Sequence, residues 1–140
     1  MNLVTVTGAK KEQRELAEKI VNWCIKEMMP RMKTLDIEVK LKDLKGNAYG
    51  YCMQGDDNRT FELEIDKNLS LYDFFSTICH EMVHVKQYAR KEMRFNERTG
   101  ATMWKKSRVS DNTDYMDLPW EKEAFRLERG LAMKCFEELA

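Results

Sequence analysis

The 140-residue chain has no excess of either charge, no closely spaced cysteines and almost no histidine. Its 24 basic residues balance its 24 acidic residues, so no net field would draw it to nucleic acid or to an anionic membrane. Cys24, Cys52, Cys79 and Cys135 are widely separated, without a C-x-x-C pair that could form half of a zinc ribbon or a redox site. We therefore expect no nucleic-acid partner, and reduced thiols that are mostly buried.

Long apolar runs are also absent. The amino-terminal stretch MNLVTVTGAKKEQ lacks the apolar core of a secretory signal, and no run approaches the length needed to span a membrane. These absences predict a cytoplasmic protein with no membrane partner. No internal repeat or low-complexity segment divides the chain, and its length suits one hydrophobic core without disulfides. We expect a single domain over residues 1–140.

Helical periodicity predicts three helices. Apolar residues recur at helical spacing over residues 10–29. Ser70, followed by Asp73, resembles a helix N-cap and predicts a second helix that runs to about Glu92. Pro119 suits the first turn of a third helix, whose apolar stripe continues to the carboxyl terminus.

Three segments alternate apolar and charged residues as β-strands do. They are DIEVKLKDL at residues 36–44, AYGYCMQ at 48–54 and RTFELEID at 59–66. The turn-rich GDDN between the last two predicts a hairpin. Residues 94–118 show little periodicity and are expected to be either a functional lid or partly disordered. The sequence thus predicts an α+β fold with an N-terminal helix, a three-stranded and mostly antiparallel sheet, and two further helices.

The only two histidines, His80 and His84, are one helical turn apart, with Glu81 between them. At about 100° per residue they lie opposite the apolar face of the second helix, where their ring nitrogens can converge on one ion. A lone histidine is more often a satisfied core residue, but a pair off the apolar stripe favours shared metal ligation. Two neutral imidazoles and one carboxylate suit Zn²⁺ and leave a position for water. The carboxylate of Glu81 could then act on that water as general base and acid.

A third protein ligand has to come from another segment. Since no histidine remains, a carboxylate is the default, and the stretch YMDLPWEKEAFRLE offers Glu121 and Glu123. These two are about 200° apart on a helix, so they cannot both face one ion. Glu121 lies nearer the apolar stripe and Glu123 flanks it on the other side, so helical geometry leaves both open.

HEMVH followed downstream by PWEKEAF resembles the gluzincins, zinc peptidases in which H-E-x-x-H precedes a helix that bears a glutamate ligand. The likeness is to small phage and bacterial members and to the minigluzincins, and the order of elements is similar to the core of SprT-like proteins. The resemblance implies a zincin-like fold with Glu123, directly before Ala124, as the third ligand, and with Glu121 as second choice. A SprT-like protein would be expected to have a third histidine and a zinc ribbon. Their absence argues against a DNA-linked role.

The resemblance also implies how a substrate is held. The strand RTFELEID, which precedes the active-site helix, is expected to lie at the edge of the sheet and to pair with an extended peptide. Tyr115 is expected either to hydrogen-bond the developing oxyanion or to be an ordinary half-buried aromatic.

The sequence thus predicts a zinc metalloendopeptidase that acts on a peptide or protein substrate through activated water. Its expected ligands are His80, His84 and Glu123, with Glu81 as general base. The alternative is a catalytically inactive zinc-binding module of zincin fold with a regulatory or interaction role. A third class, the processing of proteins bound to nucleic acid, requires a basic surface that the balanced charge does not predict.

Overall fold

The computed structural model describes residues 1–139, which form seven strands, three α-helices and a short 3-10 helix. In chain order they are β1 (Leu3–Gly8), α1 (Lys11–Met28), β2 (Asp36–Lys42), β3 (Gly50–Gln54), β4 (Thr60–Asp66), α2 (Leu71–Ala89), β5 (Met93–Asn96), β6 (Ala101–Trp104), β7 (Ser107–Val109), the 3-10 helix (Tyr115–Asp117) and α3 (Pro119–Leu139). The α+β class and the three expected helices are confirmed. No helix in this described part of the chain is long and apolar enough to cross a membrane.

The main sheet has four strands in the order β1-β2-β4-β3. β2 pairs in parallel with both β1 and β4, and only β3 and β4 are antiparallel. The expected hairpin is therefore confirmed, but the expectation of three mostly antiparallel strands is wrong for this sheet. β1 was not among the predicted strands, and it lies parallel to β2 because α1 carries the chain back between them.

Gly8 ends β1 in a conformation and a position that favour glycine. Its φ is +85°, a region that residues with a Cβ rarely adopt. A Cβ there would also lie 2.1 Å from the backbone oxygen of Leu41 on the neighbouring strand. The chain can therefore turn from β1 into α1 without displacing β2.

The core lies on one face of the main sheet. This face carries a set of buried apolar side chains: Ile37, Val39, Leu41, Phe61, Leu63 and Ile65. The opposite face is charged, and Lys40 there pairs with Glu62 at 3.1 Å. α1 and α2 cover the apolar face, and α3 packs against both helices. Polar side chains of α2 that face α3 are thus enclosed by protein on two sides.

The segment expected to be irregular, residues 94–118, is largely ordered. β5, β6 and β7 form a second sheet, which is three-stranded and antiparallel. Its strands are three or four residues long, and such short strands give too few alternations to be recognised from sequence. The 3-10 helix then leads into α3.

The cysteines are free thiols, as expected. Cys24, Cys79 and Cys135 are fully buried where the three helices meet, and the sulfurs of Cys24 and Cys79 are 3.8 Å apart. Cys52 on β3 is partly exposed.

Candidate metal centre

His80, Glu81 and His84 lie in the middle of α2, on the side that faces α3 and β3. The helix begins as expected, with the Ser70 hydroxyl accepting a hydrogen bond from the backbone N–H of Asp73. Each of the three side chains belongs to a residue that is only 7% exposed. Buried ionisable groups require polar partners, because an unpaired charge removed from water is costly.

The two imidazoles converge on one carboxylate oxygen from α3. Nε2 of His80 lies 3.1 Å from Oε1 of Glu121, and Nε2 of His84 lies 3.2 Å from the same atom. One ligand atom from each residue falls within 4.8 Å of the others. Zinc bonds of about 2.0–2.1 Å place the corners of a tetrahedron roughly 3.3 Å apart. The spacing therefore fits a zinc-sized cation.

Gln87 fixes which nitrogen of His84 carries a proton. Its Nε2 donates to the backbone oxygen of Trp120 at 2.9 Å and to Oε1 of Glu123 at 3.2 Å. Its Oε1 therefore accepts a hydrogen bond from Nδ1 of His84 at 2.8 Å. A neutral His84 then turns an Nε2 lone pair towards an oxygen of Glu121, and two lone pairs repel. A proton or a metal cation has to lie between these atoms.

His80 is oriented in a similar way. Its Nδ1 lies 3.6 Å from Oε2 of Glu128, and its ring packs in an edge-to-face manner against Phe125, with the two ring centroids 4.7 Å apart. Both imidazoles thus direct Nε2 towards Glu121 and Nδ1 towards a second polar group. This is the arrangement that positions histidine ligands at metal centres.

The pKa values show that the cluster holds positive charge between its members. Burial lowers the pKa of His80, but its contacts with Glu121 and Glu128 outweigh burial and raise the pKa to about 9. The same opposition raises the pKa of His84. Burial opposes ionisation of Glu121, yet the two imidazoles lower its pKa to about 2. Without a metal, protons on the two imidazoles lie between their Nε2 atoms and the oxygen of Glu121.

The carboxylate of Glu81 lies beside the cluster of His80, His84 and Glu121 without belonging to it. Burial raises the pKa of its carboxyl group, and the neighbouring imidazoles oppose the shift. A carboxylate with a raised pKa accepts a proton more readily than an exposed one, and it can release that proton later.

Glu123, the third ligand favoured by the family resemblance, lies elsewhere. Its Oε1 accepts a hydrogen bond from Nζ of Lys86 at 2.8 Å and another from Gln87. Burial opposes ionisation of Glu123, but Lys86 and Gln87 together lower the pKa of its carboxyl group. The structure does not bring this carboxylate to the two histidines. The carboxylate beside both histidines is that of Glu121, which was the second choice.

The rotation of α3 explains this correction. The buried residues of α3 are Glu121, Ala124, Ala132 and Cys135, and they face α2 and α1. Glu121 lies three residues before Ala124 and therefore on the same stripe. The sequence contained a sign of this position, because the helical spacing places Glu121 on the same side of α3 as the buried apolar residues, although Glu121 is charged.

Tyr115 lies in the 3-10 helix, is 57% exposed, and lines one cavity together with His80, Glu81 and Glu121. Burial of the phenol and the adjacent Glu121 carboxylate raise its pKa to about 12. The hydroxyl therefore stays protonated and keeps a hydrogen to donate. Its contribution to an oxyanion site stays a prediction.

The cavity beside the cluster has a volume of about 270 Å³ and lies between α2, α3 and β3. Gly50, Tyr51 and Cys52 of β3 form one wall. The expectation that RTFELEID is the edge strand is wrong, because β4 lies between β2 and β3. The edge next to the site is β3, and its outer side carries no paired strand within residues 1–139.

Comparisons with known proteins do not assign the chain to a family. No family model, no curated protein and no solved structure matches it. The function is therefore inferred from the chemistry of the side chains at the site.

Proposed function

We propose that the protein is a zinc metallopeptidase that hydrolyses peptide bonds. The observation that carries this proposal is the convergence of His80, His84 and Glu121 in a cavity that also contains the Glu81 carboxylate. The resemblance of HEMVH and PWEKEAF to the gluzincin motifs supports the same reaction. Ligands, a general base and a cavity for substrate are the parts that metal-assisted hydrolysis requires.

The ligand set favours a catalytic site over a structural one. Structural zinc sites in proteins are almost always closed by four protein ligands, whereas catalytic sites have three and leave a position for water. The cluster consists of three residues, and no fourth His, Cys, Asp or Glu of residues 1–139 joins it. A zinc ion held there would act as a Lewis acid and make water a nucleophile at neutral pH.

The side chains of this chain then supply proton transfer. Glu81 accepts a proton from the attacking water as the water oxygen bonds to the substrate carbonyl carbon. Glu81 then donates that proton to the amine nitrogen as the C–N bond breaks, so that the products are a carboxylic acid and an amine. Tyr115 donates a hydrogen bond to the substrate oxygen on which negative charge develops.

β3 provides the surface on which an extended peptide would lie. An edge strand offers unpaired backbone N–H and C=O groups that can add a further strand. Because β3 also forms a wall of the cavity, a peptide paired with it would pass beside Glu81 and the ligand cluster. Backbone pairing of this kind gives affinity with little dependence on the substrate sequence.

Replacement of Glu81 by glutamine tests the proposal. Glu81→Gln keeps the shape of the side chain and every ligand atom, so we expect it to bind as much zinc as the wild type. Loss of the general base should lower cleavage of an unfolded, fluorescein-labelled casein by about 100-fold or more. Glu62→Gln, on the charged face of the sheet, is the control and should cleave at the wild-type rate.

Two results would contradict the proposal. Cleavage by Glu81→Gln at the parental rate would exclude Glu81 as the base. A wild type that binds one zinc ion, cleaves nothing in a broad peptide library and melts at a lower temperature after chelation would favour the inactive zinc-binding module instead.

A further inference from the structure

A second cavity adjoins the ligand cluster on the side nearer the beginning of α2. It has a volume of about 210 Å³, and it shares His80 and Glu81 with the first cavity. Its own walls include Thr77, Phe125 and Glu128. The two cavities are therefore adjoining parts of one cleft along α2, which extends from Thr77 past Glu81 to Tyr88. A peptide cleaved there would place one side chain in each of them.

Glu128 brings a negative charge to the second cavity. Its one ion-pair contact within residues 1–139 is the 3.6 Å approach of its Oε2 to Nδ1 of His80. A neutral His80 that donates through Nδ1 leaves the full charge on this carboxylate, and its Oε1 is free to accept from a second donor. The side chain is 25% exposed, so a ligand in the cavity can reach it.

Glu128 is not one of the residues that would hold a zinc ion. Glu121 lies beside Nε2 of His80, whereas Glu128 lies beside Nδ1 on the other side of the ring. A cleft with a negative charge and partly apolar walls attracts cations from solution.

Three aromatic rings line part of the second cavity. Tyr49, Tyr115 and Phe125 line it, and all three are more than 40% exposed. The rings of Tyr115 and Phe125 contact each other edge to face, with centroids 6.4 Å apart. Aromatic walls favour the methylene stem of a long basic side chain, and their faces attract its charged end.

We propose that the second cavity binds a lysine or arginine side chain of the substrate next to the scissile bond, and that Glu128 determines this specificity. The inference rests on the proposed peptidase function, for which it names the substrate class. A cavity of about 210 Å³ has the volume of roughly seven water molecules at about 30 Å³ each. A lysine side chain has five non-hydrogen atoms and therefore fits.

The test uses zinc-loaded Glu81→Gln protein, so that peptides bind without being cleaved. Two sets of fluorescent hexa-alanine peptides are compared, with one lysine or one norleucine placed at each position in turn. Norleucine has a straight stem similar to that of lysine but no charge. We expect the best lysine peptide to bind about tenfold more tightly than its norleucine counterpart, the strength of one charge-assisted hydrogen bond.

Substitutions of Glu128 in the Glu81→Gln background identify the source of that preference. Glu128→Gln keeps an acceptor for His80 and removes the charge, so the two peptides should bind within about twofold of each other. Glu128→Asp keeps the charge and should retain the preference for lysine. Glu137→Gln, a charge removal on the same helix away from the cavity, should leave both affinities unchanged.

Several results would overturn the proposal. They are equal binding of the two peptides to the parent, no binding of either, persistence of the lysine preference in Glu128→Gln, and equal weakening of both peptides by that substitution. The last result would assign Glu128 to the positioning of His80 alone. A wild type that cleaves nothing while its Glu81→Gln form prefers lysine would instead contradict the peptidase function and leave the cavity assignment intact.

Discussion

At the residue scale, Gln87 connects the histidine pair to α3. It is fully buried. Its side-chain amide group forms hydrogen bonds to His84 on one side and to both Trp120 and Glu123 on the other. Glu123, which also pairs with Lys86, therefore helps to position the side chain of Gln87, which in turn positions the imidazole of His84. Partners of this kind set the tautomer and the direction of a metal-binding imidazole.

Replacement of Gln87 by leucine should weaken zinc binding. Leucine fills a similar volume but cannot accept the Nδ1 proton of His84, so the ring loses its fixed tautomer and orientation. We expect zinc affinity to fall by about 10–100-fold, as measured by competition with a chromophoric chelator. Glu123→Gln still offers an oxygen to Gln87 and should change the affinity much less. An unchanged affinity in Gln87→Leu would show that Gln87 has no positioning role.

The sequence predicted that His80 and His84 share one side of a helix, but not which glutamate of α3 lies beside them. His80 and His84 are related by the period of a single helix, which the sequence specifies directly. The choice between Glu121 and Glu123 depends instead on how α3 is rotated against α2. The pairing of Glu123 with Lys86 on α2 is a tertiary contact that no pattern within α3 reveals.

At the scale of elements, the approach of β3 to α2 determines the shape of the cleft. Gly50 on β3 lies where a Cβ would be 2.8 Å from Cγ2 of Thr77 on α2 and 3.0 Å from the backbone oxygen of Glu64 on β4. A side chain there would push the strand away from the helix or from its neighbour. The absence of a Cβ therefore keeps the edge strand beside α2.

Substitution of Gly50 by alanine should destabilise the protein by about 1–3 kcal/mol, the usual cost of overpacking a tight site. Gly130 offers a matched control, because it lies in the exposed interior of α3 with no atom within 4 Å of its Cβ position. Gly130→Ala should stabilise the protein by about 0.4–1 kcal/mol. Urea unfolding of the two variants measures both changes. Equal stability of Gly50→Ala and the wild type would mean that β3 is free to move.

The elements that the sequence predicted are those with strong periodicity. α1, α2, α3 and the strands β2 to β4 contain enough turns or alternations to be recognised. β1 was not predicted, although the valines of LVTVTG alternate with threonines, because six residues offer only a short alternation. The parallel pairing of β1 with β2 could not be predicted, since strand order depends on contacts between residues far apart in the chain.

At the scale of the whole molecule, the proposed metal joins two helices that are distant in sequence. Two of the proposed ligands belong to α2 and the third to α3, and these helices also pack against each other. A ligand that binds only the folded state stabilises that state by mass action. Zinc is therefore expected to stabilise the domain as well as to take part in the reaction.

Removal of zinc should lower the melting temperature. At a free zinc concentration about 100 times the dissociation constant, the stabilisation is about 2.7 kcal/mol, which corresponds to several degrees in a domain of this size. Calorimetry before and after chelation, and after zinc is restored, measures the shift. His80→Ala should show no response to zinc. A wild-type melting temperature that ignores zinc would indicate that the folded protein does not bind it.

The most direct test of the metal centre is the zinc content of three proteins purified in parallel: the wild type, Glu121→Ala and Glu123→Ala. Mass spectrometry under native conditions and elemental analysis give the number of ions per chain. The cluster of His80, His84 and Glu121 predicts about one zinc ion in the wild type and in Glu123→Ala, and little or none in Glu121→Ala. Full zinc content in Glu121→Ala, with loss of zinc from Glu123→Ala, would contradict the geometry of the site.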